Sequence, residues 1–280
     1  MKALRADRLA ADLLRYGLLL GLTLWAVFPF YWLVISALKP QFEVFAFPPT
    51  LWPSRVSFKF FIDTWKYSSF PMYFFNSVLV CLLTTALSTF LAAMGSYSLA
   101  RFPSRGTKHL GRLVLMTYMF PRILLVIPLY YMVNALGLID TRTSLVIAYS
   151  TFNLPFALWL LRSYFQTIPS ELDEAALVDG ANRWQVLTRI VLPLSLPGLA
   201  TVATFAFVNS WNEFMYASIF ISSDTMKTLP VALHSLVSGE TMSWGGLLAS
   251  STMVTIPTLL FFFVLQRHIV GGLTAGAVKG

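Results

Sequence analysis

Glu174-Ala175-Ala176-Leu177-Val178-Asp179-Gly180, running on to Ile190-Val191-Leu192-Pro193, is a charged island between two long apolar segments. Upstream, Ile168-Pro169-Ser170 reads as a helix start: proline stops the preceding segment, and Ser170 is placed to cap free backbone N–H groups. Asp173 stands at the capping-box position, where Glu or Gln is usual. Glu171, Asp173 and Glu174 fill the first turn, where the helix dipole favours anions. Leu172, Ala175 and Ala176 recur at i, i+3 and i+4 and predict a small-residue, weakly apolar face. Gly180 permits a turn that a Cβ would resist. Asn182 is placed to cap a second short helix with Trp184, Leu187, Ile190 and Val191 on one side. The spacing predicts a helix–turn–helix at a membrane surface. Periodicity alone leaves two readings open, a plain linker between spans and a working contact.

The membrane setting follows from composition. The chain has 280 residues, 57% hydrophobic and 11% charged, against about a quarter charged in a typical soluble domain. A bilayer-crossing helix needs roughly 17–25 mostly apolar residues. Six segments qualify: 16–38, 71–100, 113–136, 144–161, 194–221 and 246–265. Backbone polar groups in hydrocarbon must be satisfied within their own segment, so the expected class is all-α and polytopic. The first apolar stretch follows a basic start as a signal peptide would. It is too long for an h-region, and Lys39-Pro40 follows it instead of a small-residue cleavage site, so it reads as a retained anchor.

A net charge of +8 raises nucleic acid as a partner, but its placement argues against one. With the N-terminus inside, the inner segments carry thirteen Lys and Arg and the outer segments six. That asymmetry is the positive-inside rule. The remaining cation, Arg122, falls inside the third span, where it would cost roughly 2.5–3.5 kcal/mol at a helix centre. It must face protein or water, or snorkel. Pro121 and Pro128 in the same span predict kinks. The single cysteine, Cys81, reads as packing.

Between the spans, Ser57 is placed to cap an interfacial amphipathic helix with Phe58, Phe61, Ile62 and Trp65 on one side and Lys59 and Asp63 paired on the other. Asn76 and Ser77 are expected to bond neighbouring helices. Gly137-Leu138-Ile139-Asp140-Thr141 reads as a tight turn. In the fifth span, Asn209, Asn212 and Glu213 fall at i, i+3 and i+4 and are expected to share a helical face. Flanked by Phe207, Trp211 and Phe214, they would suit a sugar, whose hydroxyls bond while its ring faces stack. Interhelical bonding that fixes the bundle is the equal alternative.

Glu174, Ala175, Ala176, Gly180, Ile190, Leu192 and Pro193 match the signature loop of ABC importer permeases at every position. Trp211-Asn212-Glu213-Phe214, the segment Pro128-Leu129-Tyr130 with the following turn, and the tail from Gly271 extend the likeness to the maltose-type carbohydrate branch. The resemblance implies that the loop, 164–193, sits in a groove of a separate ABC ATPase dimer. Glu174 would form an ion pair there, Gly180 would set the bend, and Leu172, Ala175, Ala176 and Leu177 would fill the groove. It further implies a second homologous permease, an external solute-binding protein that contacts 222–244, and an inner C-terminal tail, 269–280, whose Thr274, Ala275 and Gly276 insert between the ATPase subunits. By composition alone that tail reads as floppy. A short basic tail, 1–15, precedes the permease domain, 16–268.

Catalytic signatures are missing. No G-x-x-x-x-G-K-[ST] stretch exists to cradle phosphates and no H-E-x-x-H to hold zinc; His109, His234 and His268 are scattered. The chain is expected to bind no cofactor or metal itself, with ATP and Mg on the partner ATPase. The expected function is import of a sugar or oligosaccharide. A non-sugar solute such as a glycerol phosphate is the alternative. A stand-alone secondary transporter would need intramembrane carboxylates and two related halves, and offers only Glu213.

Overall fold

A computed structural model describes residues 2–238 and 243–277, with side chains described for 12–235 and 243–266. Every regular element among the described residues is helical. In chain order these are α1 (Lys2–Ala37), α2 (Gln41–Val44), α3 (Lys59–Tyr67), α4 (Phe70–Arg101), α5 (Arg105–Met119), α6 (Arg122–Ala135), α7 (Arg142–Thr167), α8 (Glu171–Val178) and α9 (Arg183–Val186). A π-helical turn, Leu187–Val191, leads into α10 (Leu192–Leu194), then α11 (Leu196–Trp211), α12 (Met215–Phe220), a 3₁₀ turn at Asp224–Met226, α13 (Leu229–Ser238) and α14 (Trp244–Ala277). The chain divides into two compact units, Met1–Ser69 with Leu236–Thr255, and Phe70–Ser235 with Ile256–Gly280.

In the first unit a polar clasp gathers the segment after α1. Lys39 is buried, donates from Nζ to the Thr50 carbonyl at 2.6 Å and lies 4.4 Å over the Trp32 ring. Buried Glu43 accepts from the Thr50 hydroxyl (2.7 Å) and from the Ser54 N–H (3.0 Å) and hydroxyl (2.7 Å). Those donors, led by Thr50, hold its carboxyl below the usual range. The Ser57 hydroxyl accepts the Lys59 N–H at 3.3 Å where α3 begins. Phe60 turns inward onto Ala37 and Ala249, and a Cβ on Gly245 would stand 2.2 Å from its ring. Phe58, Ile62 and Trp65 stay exposed. The expected Lys59–Asp63 pair does not form: the ion pairs among the described residues are Arg101–Asp173 and Lys227–Asp224. A cation preceding its acid at i,i+4 is the weaker orientation.

In the second unit α4, α7 and α11 pack on one another around two apolar clusters. One is built on Val80, Leu145, Tyr149, Phe152, Tyr216 and Phe220, the other on Ala92, Leu161, Phe165, Val186, Val191 and Val202. Gly198 lets α11 approach α7, since a Cβ there would meet the Tyr164 ring at 2.7 Å. Cys81 is buried and free, as expected of a packing residue.

Two expected spans are broken. Four helices among the described residues are long and apolar enough to cross a membrane, and six if each bent pair is one crossing. The third span, 113–136, bends by 111° between α5 and α6. Pro121 has no N–H and pushes Phe120 out of the helical region, to φ −71° and ψ 133°. Arg122 thus begins a helix rather than sitting at a helix centre. It is exposed, its guanidinium lies 4.5 Å over the Phe152 ring, and its carbonyl accepts from the Tyr216 hydroxyl at 2.8 Å. The fifth span, 194–221, bends by 81° into α11 and stops at Trp211. The last helix runs on through Ala277, so the backbone of the expected floppy tail at Thr274, Ala275 and Gly276 is helical. Their side chains lie outside the described residues.

A polar seam joins the turn before α7 to the segment after α12. Asp140 stands at φ 61°, a left-handed position that Asp tolerates better than most. Its carboxylate accepts the N–H groups of Ser222 and Ser223, both at 2.9 Å, and the Ser223 hydroxyl. Asn76 donates to the carbonyls of Thr225 and Lys227, both at 2.9 Å, and accepts from Arg142 Nε at 2.8 Å. The Ser77 hydroxyl accepts the Leu229 N–H at 2.7 Å. The bridging expected of Asn76 and Ser77 is therefore present. The expected 222–244 loop is partly helical, holding the 3₁₀ turn and α13.

Candidate functional site

The loop 170–193 folds as the short helices α8 and α9, the π turn and the start of α10. Gly180 occupies φ +85°, and its N–H and that of Ala181 close the end of α8 on the Leu177 and Ala176 carbonyls at 3.1 and 2.9 Å. Asn182 caps α9 as expected, with a full capping box. Its side chain takes the Gln185 N–H at 2.9 Å, and Gln185 takes the Asn182 N–H at 2.8 Å.

The start of α8 departs from expectation. Ser170 adopts helical φ −68° and ψ −22° and makes no side-chain cap, because a cap needs extended backbone to turn its oxygen onto the helix end. Asp173 is drawn away by α4 instead. Its carboxylate accepts Arg101 Nε at 2.8 Å and Nη2 at 3.3 Å, and the Tyr97 hydroxyl at 3.4 Å. Both charged side chains are buried, 9% and 4% exposed for Arg101 and Asp173. Arg183 of α9 sits 5.1 Å over the Phe102 ring, which meets Tyr97 edge-on. The loop is thus knotted to the end of α4 by a paired, hydrogen-bonded charge.

The knot fixes which side of α8 faces out. Asp173, Ala176 and Leu177 form the inner side, with Ala176 and Leu177 packed on the chain's own core beside Phe165 and Val186. Leu172, Glu174, Ala175 and Val178 form the exposed side. The predicted face of Leu172, Ala175 and Ala176 is corrected accordingly: Ala176 turns inward, and Val178, 88% exposed, belongs outside. Glu174 has no ion-pair partner among the described residues. Ile190 and Leu192 are half-buried and Pro193 exposed; Trp184, 53% exposed, adds an aromatic to the outer surface.

Residues 90–274 match the family model described as binding-protein-dependent transport system inner membrane component. The chain belongs to that family. Among curated relatives, the inner membrane ABC transporter permease protein YcjP of Escherichia coli is 38% identical over 95% of this chain and 97% of its own length. The trehalose/maltose transport system permease protein MalG of Thermococcus litoralis is 36% identical over the same shares. The trehalose transport system permease protein SugB of Mycobacterium tuberculosis is 35% identical over 91% of this chain and 93% of its own. A crystal structure of a bacterial ABC transporter involved in alginate import aligns over 94% of this chain and 97% of that one, with a TM-score of 0.79 at 23% identity, a likeness of fold. The permease is therefore a multi-pass inner membrane subunit of an ABC import system, not an enzyme in its own right.

The second candidate cluster of the permease is dispersed. Asn209, Asn212 and Glu213 do not share a helical face. Asn212 closes α11, its amide donating to the Val208 carbonyl at 2.8 Å, and Glu213 lies beyond the helix end. The Glu213 carboxylate accepts the N–H groups of Tyr216 at 3.0 Å and Ala217 at 3.2 Å, starting α12. Buried, that carboxylate caps a helix. Asn209 reaches Asn153 of α7 at 3.5 Å, and Asn153 donates to the Ser210 hydroxyl at 3.1 Å. Phe207 stacks on Trp211 and Phe261 in the interior, while Asn212 and Phe214 are exposed. Asn153, fully buried, is a polar hub that sequence reasoning missed. Its one signal was an amide within an apolar span.

Proposed function

We propose that this permease imports a sugar or oligosaccharide, handed over by an external binding protein and moved by ATP hydrolysis on a separate ATPase dimer that carries the ATP and Mg. Both termini are placed inside, as the charge asymmetry favours. A second homologous permease completes the path. The observation that carries the reading is the outer side of α8: Glu174, Leu172, Ala175 and Val178 stand exposed on a helix that a buried ion pair ties to α4. A load applied to that side passes to α4 through Arg101 and to the core through Ala176 and Leu177. Coupling requires contacts that differ between two states, and an exposed acid, unpaired among the described residues, on a helix tied to α4 is placed to make one. The sugar class rests on the trehalose/maltose and trehalose systems that the relatives' names describe.

The test is ATP hydrolysis by the purified complex, assayed with its binding protein across maltose, trehalose, other oligosaccharides and glycerol 3-phosphate. Stimulation by one saccharide supports the reading. Stimulation by glycerol 3-phosphate alone overturns the sugar class, and transport by the isolated chain overturns the ATP-driven one.

A further inference from the structure

Between α4, α5 and α7 lies a cleft of about 370 Å³ that the coupling loop does not use. Lys108 and Arg112 of α5 and Arg162 of α7 line it, together with Trp159, Leu115 and Leu158, and no carboxylate among the described residues does. None of the three cations takes part in an ion pair among the described residues, and Arg162 Nε is buried without a hydrogen-bond partner. A buried donor left unpaired is open to a bond from water or a ligand.

We propose that this cleft binds an anionic phospholipid, its phosphodiester held by Lys108, Arg112 and Arg162 and its upper acyl chain lying against Leu115, Leu158 and Trp159. The ordering of residues along two helices carries the assignment. On α5, Lys108 and Arg112 precede Leu115. On α7, Leu158 and Trp159 precede Arg162. The cleft is therefore charged at one end and apolar at the other, over roughly 10 Å of helix rise. A free anion would need only the charged end. A lipid needs both, in this order. Gly111 at the floor brings α5 against Leu99 of α4, where a Cβ would stand 3.1 Å from a Leu99 methyl. Trp159 is half exposed and stands about one helical turn from Arg162, where an amphipathic ring suits the border between headgroup and acyl chain. Basic pockets between spanning helices are the general form of anionic headgroup sites.

The test uses the complete transporter, delipidated in detergent and titrated with phosphatidylglycerol, phosphatidylcholine or inorganic phosphate, with bound lipid read by native mass spectrometry. Phosphatidylglycerol is expected to be retained selectively. The double variant Lys108→Gln/Arg112→Gln should weaken that retention by about thirty-fold, the worth of two surface cations, without changing phosphatidylcholine retention. Arg162→Gln gives the same readout independently should the double variant fail to assemble. Equal retention of the two lipids, or unchanged phosphatidylglycerol retention in both variants, overturns the proposal. Displacement of phosphatidylglycerol by millimolar phosphate would make this a free-anion site and overturns the lipid assignment too.

Discussion

Arg101 and Asp173 meet two atoms to two, Nε to Oδ2 at 2.8 Å and Nη2 to Oδ1 at 3.3 Å, joining the last residue of α4 to the first turn of α8. Removing one partner of a buried pair strands the other charge, at about 3–5 kcal/mol. Arg101→Leu alone should lower the melting temperature of the complex and abolish uptake. The Arg101→Leu/Asp173→Leu double variant should recover much of the stability but little of the uptake, because the apolar pair packs without tying α8 to α4 in one geometry. Thermal melting and vesicle uptake, compared as a double-mutant cycle, check this. Additive losses would show that the two residues act separately.

Gly180 stands at φ +85° with open space around an added Cβ, so any penalty there is conformational, not steric. Left-handed backbone costs an ordinary L-residue roughly 1–2 kcal/mol, and less for Asn. Gly180→Asn should keep most uptake, whereas Gly180→Val should lose it with membrane insertion intact. Equal behaviour of the two variants would show that the bend is not what matters.

Glu213 caps α12 with both carboxylate oxygens. Glu213→Ala should destabilise the permease by about 0.5–2 kcal/mol, the range of lost helix caps, and depress uptake of every accepted solute in the same proportion. A change in which solute is preferred, at unchanged stability, would restore Glu213 to the substrate path.

Asp140 holds Ser222 and Ser223 through its carboxylate, and the Ser223 hydroxyl, the Ser223 N–H and the Ser222 N–H together depress its pKa below the ordinary aspartate value. A depressed carboxylate contributes stability that is complete above the unfolded value, near 3.9, and is lost as pH falls through the lower folded value. Hydrogen exchange at the Ser222 and Ser223 amides should therefore stay slow from neutral pH to about 4. Asp140→Ala should speed it across that range and make no difference below the folded value, where the carboxyl is protonated and its contribution already gone.

Much of this fold was legible because each signal was local. Apolar length marked the spans, Asn182 with Gln185 marked a cap, and Gly180 marked a positive φ. The breaks were harder to see. Hydropathy continues through Phe120-Pro121 and through Asn212-Glu213 although the helix does not, since averaging over a window hides one missing N–H or one capping acid. The inner and outer sides of α8 could not be read from spacing, because Asp173 is polar yet buried and Val178 apolar yet exposed. Their placement is set by Arg101, seventy-two residues away in sequence, and long-range pairing leaves no periodic trace. Asn153 stood out only as an amide in an apolar span, and its partners Ser210 and Asn209, more than fifty residues away, left no trace beside it.

Glu174 offers the most direct measurement. The complete transporter bearing Glu174→Ala is reconstituted in vesicles, and ATP hydrolysis and solute uptake are recorded together with the amount of complex assembled. If the outer side of α8 carries force from the ATPase, uptake falls at least a hundredfold, about 2.7 kcal/mol of coupling, while the permease still inserts into the membrane. Wild-type uptake at a normal rate of hydrolysis would mean that the force enters elsewhere.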